Sequence, residues 1–135
     1  MAEKLNVSNL HIINSSGYHL DTSISPIFNN EYDCIGLICA REVFSNNEIK
    51  DLRSICKSNQ WELIEIEHQD INSSLSFRTA MNGLTLPGLF IGSKKLNQKP
   101  ISEFALSNNI IFDSTSVSQF NLSGGSVYCL TNELF

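Results

Sequence analysis

The apolar residues of this chain fall in short runs set apart by polar turns, and the spacing inside each run predicts an element. Leu10-His11-Ile12-Ile13 is ended by the turn-forming Asn14-Ser15-Ser16-Gly17, and Tyr18 to Ile24 then alternates aromatic or aliphatic with polar residues, so two strands are expected. Pro26, Asn29 and Asn30 interrupt the chain. Cys34 to Ala40 is a continuous apolar run of the kind buried on both faces, a third strand. Ser45-Asn46-Asn47-Glu48 has the spacing of a capping box, in which the serine oxygen accepts from the third helical N–H and the glutamate carboxylate accepts from the serine N–H. Ile49, Leu52, Ile55 and Cys56 then recur at helical spacing, which predicts a helix over about 46–58. Trp61 to Glu67 returns to a strand pattern. Leu84 to Ile91 predicts another strand, broken by the turn dipeptide Pro87-Gly88 into a hairpin or a bend. Pro100 suits the first position of a short helix through about Ser107, Asn109 to Phe112 reads as a short strand, and Ser126 to Thr131 as a last one. Short strands alternating with short helices mean an α/β or α+β chain.

Composition narrows the partners more than the fold. With 135 residues, 41% of them hydrophobic and 17% charged, the chain supports one compact domain over its whole length. Nine Lys and Arg against fourteen Asp and Glu leave a net charge of -5, which offers no footprint for a phosphate backbone, so nucleic acid is not an expected partner. No apolar run approaches the roughly 20 residues that cross a bilayer, and the opening Met-Ala-Glu-Lys has no apolar signal core, so no membrane association is expected and the location read from the sequence is cytoplasmic. In that reducing compartment Cys34, Cys39, Cys56 and Cys129 are expected as free thiols. There is no Cys-x-x-Cys, and His11, His19 and His68 form no zinc-type pair, so neither a metal site nor a cofactor is expected.

Two residues stand out as candidate chemistry. Cys129 follows the pair Gly124-Gly125, whose backbone can take a positive φ and approach a ligand closely; the simpler alternative is a small buried thiol in a strand. His19 lies in Tyr18-His19-Leu20-Asp21-Thr22, where strand alternation sets His19 and Asp21 on one face; an exposed hairpin face is the alternative. A cysteine and a histidine far apart in sequence can be brought together by a fold as nucleophile and acid/base. His68 and His11 read as a loop and a strand residue, Cys34, Cys39 and Cys56 as core thiols, Lys94-Lys95 as a turn pair, and Asn82 as structural.

Tyr-His-Leu-Asp-Thr at 18–22, Ala-Met-Asn-Gly at 80–83 and Ser-Gly-Gly-Ser-Val-Tyr-Cys-Leu-Thr at 123–131, in that order, resemble the penteins, the amidinotransferase and amidinohydrolase superfamily of arginine deiminases, dimethylarginine dimethylaminohydrolases and citrulline hydrolases. The resemblance implies a partial pentein α/β propeller built from ββαβ-type modules, with a guanidino or ureido small molecule as substrate. It implies Cys129 as nucleophile on the guanidinium carbon, His19 as the acid that protonates the leaving amine and then activates water, and Asp21 as the carboxylate that binds guanidinium nitrogens. Gly124 and Gly125 would turn the chain so that Cys129 faces the pore.

The similarity covers nearly the whole chain but only the C-terminal half of the family's ring of five modules. In the family the other half supplies a second guanidinium-binding acid and the residues that grip the substrate carboxylate, and Tyr128 stands where relatives often carry Lys or Arg. The stretch 1–5 resembles the tail of a helix from a missing module, which suggests a truncated gene, a split protein or a fragment. Opening a ring exposes strand edges, so a homodimer or a complex with a complementary N-terminal half is expected. Two functions stay open: a half-length guanidino-group hydrolase, and a noncatalytic binding or assembly module that keeps the fold.

Overall fold

Ser45 and Glu48 exchange hydrogen bonds with each other's backbone: the Ser45 hydroxyl accepts from the Glu48 N–H at 3.3 Å, and the Glu48 carboxylate accepts from the Ser45 N–H at 2.9 Å. This starts α1 (Asn46–Asn59), whose Ile49, Leu52 and Cys56 are buried, and Gln60 closes it in the left-handed region. The structure, a computed structural model, describes residues 10–17, 19–67, 81–94, 98–123 and 125–131. Expectations that fall on Tyr18, His68, Lys95, Gly124 and the stretch 1–5 lie outside the described residues.

Around α1 stand β1 (Ile24–Phe28), β2 (Cys34–Ala40) and β3 (Glu62–Ile66), in sheet order β1-β2-β3. β1 and β2 run antiparallel, while β2 and β3 run parallel across the helical crossover, with Gly36 opposite Glu62 and Ala40 opposite Ile66. The second half repeats the plan with β4 (Leu84–Leu86), β5 (Leu89–Ser93), α2 (Gln98–Ser107) and β6 (Ile111–Thr115), in sheet order β4-β5-β6. There too the first pair is antiparallel and the second parallel. The chain is thus mixed α/β, with two ββαβ units followed by the short α3 (Ser118–Leu122). A closed propeller is not seen: each sheet is open.

Several local expectations change. Leu10 to Ile13 is irregular, and Tyr18 to Ile24 is not a strand: residues Leu20–Thr22 form a 3₁₀ turn before β1 begins at Ile24. Pro26 lies inside β1, opposite Leu37, which is tolerated because β1 is an edge strand. Pro87-Gly88 makes the hairpin, with Gly88 at φ 68°. Pro100 is the third helical residue, not the first, still within the first turn where the N–H has no intrahelical acceptor. The last expected strand is instead a 3₁₀ turn, Tyr128–Leu130.

The units meet through one core that includes Ile27, Ile38, Ile64 and Ile66 from the first and Phe90, Ile101 and Phe104 from the second. Phe104 of α2 lies over Gly36 of β2: a Cβ at Gly36 would come within 2.8 Å of the ring and 3.1 Å of the Glu62 carbonyl. Glycine is what lets the helix of the second unit approach the sheet of the first. The junction repeats. A cleft beside β3 (Glu62–Glu65) is bordered by Pro100, Glu103, Phe104 and Ser107 of α2, and a cleft beside His11–Ile13 is bordered by Asp51, Ser54, Ile55 and Ser58 of α1, the same four positions at a constant offset. His11–Ile13 therefore meets α1 where a preceding unit's last strand would.

Candidate active site

The turn that carries His19 and Asp21 is shaped by hydroxyls. Thr22 Oγ donates to the His19 carbonyl at 2.6 Å and accepts from the His19 N–H at 3.2 Å, and Ser23 Oγ donates to the same carbonyl at 3.1 Å. These bonds compete with strand formation and fold the backbone back on itself. His19 enters the turn in extended backbone and Asp21 lies within it, so the two are not set by strand alternation. Thr22 and Ser23 are buried, while His19 and Asp21 are exposed.

The C-terminal motif arrives from the other side of the chain. Two of its backbone donors go to one residue: the Tyr128 N–H donates to the Asn82 carbonyl at 3.2 Å, and the Cys129 N–H to Asn82 Oδ1 at 3.1 Å. That capture, in place of a neighbouring strand, is why residues 128–130 curl. Cys129 is exposed, and its sulfur lies 3.2 Å from Asn82 Oδ1. The alternative of a buried strand thiol is thereby removed. The Gly125 N–H is bonded to the Phe120 carbonyl at 2.9 Å. A Cβ there would stand 3.9 Å from the Cys129 sulfur, so Gly125 lies beside the thiol.

Asn82 joins the two motifs. Its Nδ2 donates to Asp21 Oδ2 at 2.7 Å, so Asp21, Asn82 and Cys129 form one hydrogen-bonded chain across 108 positions of sequence, from 21 to 129. Asn82 is 1% exposed. It is held from both sides, because the Ser25 hydroxyl donates to the Met81 carbonyl at 2.5 Å and Gly83 packs against the Phe90 ring. Beside this chain opens a cleft of about 340 Å³ lined by Asp21, Asn82 and Tyr128 with Ile24, Pro26 and Phe28, a size at the lower end for small-molecule sites. The cleft lies on the seam between the units, where β1 runs beside β4. Each unit offers a polar residue just ahead of its first strand: Asp21 before β1 and Asn82 before β4.

Of the other thiols, Cys39 and Cys56 are buried and Cys34 is half-buried. Burial pushes the Cys39 thiol up to about 12 and Cys56 up to about 11, and Cys34, half-buried, is also raised by burial. Arg41 and Arg53 both meet Glu65, at 3.6 and 2.6 Å, on the first unit. Among the described residues no group of three or more His, Cys, Asp or Glu converges as metal ligands, and no helix is long and apolar enough to cross a membrane. The residue that the sequence undervalued is Asn82. Its signals were a polar side chain in Met81-Asn82-Gly83, directly before an apolar strand, and its place in the resembling motif Ala-Met-Asn-Gly, read as structural before substrate-binding.

No protein-family model matches the chain, and no curated protein sequence matches it. Solved structures do. The N-terminal domain of a single-substitution variant of ArgZ, covalently bound to a reaction intermediate, superposes with a TM-score of 0.71 at 18% identity, over 96% of this chain and 43% of that one. Apo ArgZ, an arginine dihydrolase from cyanobacteria, gives 0.60 at 19% identity, over 87% and 17%. The agmatine deiminase of C. jejuni gives 0.64 at 17% identity, over 95% and 43%. These are pentein-fold proteins, and the chain shares their fold while spanning less than half the length of each.

Proposed function

We propose that this chain carries the Cys, His and Asp portion of a guanidino-group hydrolase site. Its substrate class is a guanidino or ureido small molecule. The observation that carries the reading is the bonded chain from Asp21 through Asn82 to Cys129, which ties the two resembling motifs together at the rim of one cleft. The fold shared with ArgZ, a domain of which holds a covalent reaction intermediate, supports it.

In this mechanism Asp21 accepts hydrogen bonds from two guanidinium nitrogens. The Cys129 thiolate attacks the central carbon, a C–S bond forms, and the C–N bond to the departing amine breaks as His19 delivers a proton to that nitrogen. His19 then takes a proton from water, the hydroxide adds to the thiouronium carbon, and the C–S bond breaks to return the thiolate. Positioning a guanidinium for such attack needs ligands from more than one side. The second acid and the groups for a substrate carboxylate would come from further units, which the cleft between α1 and His11–Ile13 favours on that side of the chain. A homodimer or a complementary N-terminal half is the proposed source.

The test is release of urea, ammonia or citrulline from arginine, dimethylarginine, agmatine and citrulline. Weak or undetectable turnover by the chain alone is expected, together with preferential alkylation of Cys129. Turnover that persists in Cys129→Ser, or equal labelling of all four thiols, overturns the reading. A noncatalytic binding or assembly module is the second reading, favoured by the span of under half the length of the matched structures. It gains if Cys129 labels first yet no partner restores turnover.

A further inference from the structure

Asn82 has an amide whose orientation is forced at both ends. Nδ2 faces a carboxylate oxygen, which only accepts, and Oδ1 faces the Cys129 N–H, which only donates, so the amide cannot be turned over without losing both bonds. Oδ1 is then the atom that meets the sulfur, at 3.2 Å, and the thiol meets it as a donor. Full burial and the adjoining bonds of Met81 and Tyr128 leave the side chain no second position.

The amide also has the size of the group the site would take. A guanidinium that donates to Asp21 at about 2.8 Å and offers its carbon to the sulfur at about 3–3.5 Å bridges carboxylate and sulfur through a planar nitrogen and carbon. The carboxamide bridges the same two groups through a planar nitrogen, carbon and oxygen. We infer that Asn82 is a positioning residue of this site: its buried carboxamide spaces the Asp21 carboxylate from the Cys129 sulfur so that a planar amidinium or guanidinium cation held by Asp21 presents its carbon to that sulfur. This rests on the proposed roles of Asp21 and Cys129, and adds that their spacing is set by a residue of the second unit.

The test compares two alkylating probes of nearly equal size: cationic 2-chloroacetamidine and neutral 2-chloroacetamide. With either, the Cys129 sulfur forms a C–S bond as the C–Cl bond breaks, chloride leaves, and the thiol proton passes to buffer base. The ratio of the two Cys129 labelling rates in the full chain, relative to the ratio with free cysteine, reads cation positioning and cancels intrinsic thiol reactivity. The native chain is expected to favour the cationic probe at least 10-fold, and Asp21→Asn to abolish the preference. Asn82→Asp, nearly isosteric, keeps an acceptor for the Cys129 N–H but sets two carboxylates against each other, and is expected to cut the preference at least 10-fold; Asn82→Ser is expected to do the same.

No preference in the native chain, or one indifferent to Asp21→Asn, overturns the proposed roles. A preference lost in Asp21→Asn but unchanged in both Asn82 variants overturns the inference alone. Should the variants fail to fold, the native chain decides: titration with methylguanidinium chloride is expected to shift the Asn82 side-chain amide resonances along with the Asp21 carboxyl signal, and an Asp21 shift with unmoved Asn82 signals overturns the inference.

Discussion

Replacing Gly36 with alanine tests the junction on which the site depends, because Asp21 stands on the first unit and Asn82 on the second. The new methyl would lie 2.8 Å from Phe104 Cζ, 3.2 Å from Cε2 and 3.1 Å from the Glu62 carbonyl oxygen. Favourable carbon contacts lie near 3.5–4.0 Å, so helix or sheet has to give by several tenths of an ångström. The Phe104 ring is 4% exposed and has no open solvent to swing into. Overpacking of this kind costs about 1–3 kcal/mol, while the stiffer alanine backbone returns about 0.4–1 kcal/mol through the unfolded chain. The net is a loss of about 1 kcal/mol, or a fall of about 3–5 °C in Tm for a domain of this size. Urea unfolding of Gly36→Ala, Phe104→Leu and the double variant, followed by Trp61 fluorescence, measures it. The smaller leucine at position 104 makes room, so the double variant is expected to be more stable than the sum of the single losses by about 0.5 kcal/mol or more. A native-like Gly36→Ala, or a strictly additive double variant, refutes the close approach of α2 to β2.

Other consequences follow from single groups. Ser45→Ala removes the cap of α1 and is expected to cost about 1 kcal/mol in chemical denaturation. Glu48 is held below its ordinary value by its bonds with Ser45 first, so its folded pKa lies under its unfolded one: the stability it adds over Glu48→Gln is complete above the unfolded value near 4.5 and is lost as pH falls through the folded one, which paired melts from pH 7 to 3 will show. Limiting iodoacetamide at pH 8 is expected to label exposed Cys129 first, Cys34 next, and the buried Cys39 and Cys56 only on unfolding, as peptide mass spectrometry reads directly. Gly88→Ala is expected to lower Tm by several degrees, since φ 68° disfavours a side chain and its Cβ would strike the Asn30 side chain.

What was legible in the sequence was whatever local chemistry decides. The capping box located α1 to within a residue at each end, a continuous apolar run located β2, and the strand pattern of Trp61 to Glu67 located β3. The hairpin at Pro87-Gly88 could be read because a turn with φ of 68° calls for glycine. Of the three misread stretches, Leu10 to Ile13 is irregular and the other two lie at the site. Tyr18 to Ile24 alternates like a strand, but the Thr22 and Ser23 hydroxyls close a turn on the His19 carbonyl. Ser126 to Thr131 is β-branched and aromatic enough for a strand, yet the N–H groups of Tyr128 and Cys129 go to Asn82, 46 and 47 residues away. Short-range patterns carry no trace of a bond to a distant amide, so strand preference lost to tertiary structure in Ser126 to Thr131, whereas in Tyr18 to Ile24 it lost to side-chain bonds within the turn. The resemblance gave roles to Asp21 and Cys129 and matched the motif around Asn82, but not the bonds by which Asn82 stands between them.

The repeat offers a physical reason for where the site lies. Each ββαβ unit sets a polar residue just ahead of its first strand, on the approach to it: Asp21 before β1 and Asn82 before β4. Setting β1 beside β4 brings two such approaches together, one with a carboxylate at Asp21 and one with a carboxamide at Asn82. The 3₁₀ turn at 128–130 then needs no sheet partner, because the second approach supplies the acceptors for two of its N–H groups. Chemistry placed on a seam depends on how firmly the units are docked, and here that rests on Phe104 over Gly36 and a shared apolar core. Among the described residues the corresponding face of α1 meets His11–Ile13, with Ile12 83% exposed, where α2 meets a full strand with Ile64 buried. The two junctions thus use the same four helix positions, and the one formed by α2 against β3 is the junction that docks the two units and so holds Asp21 against Asn82.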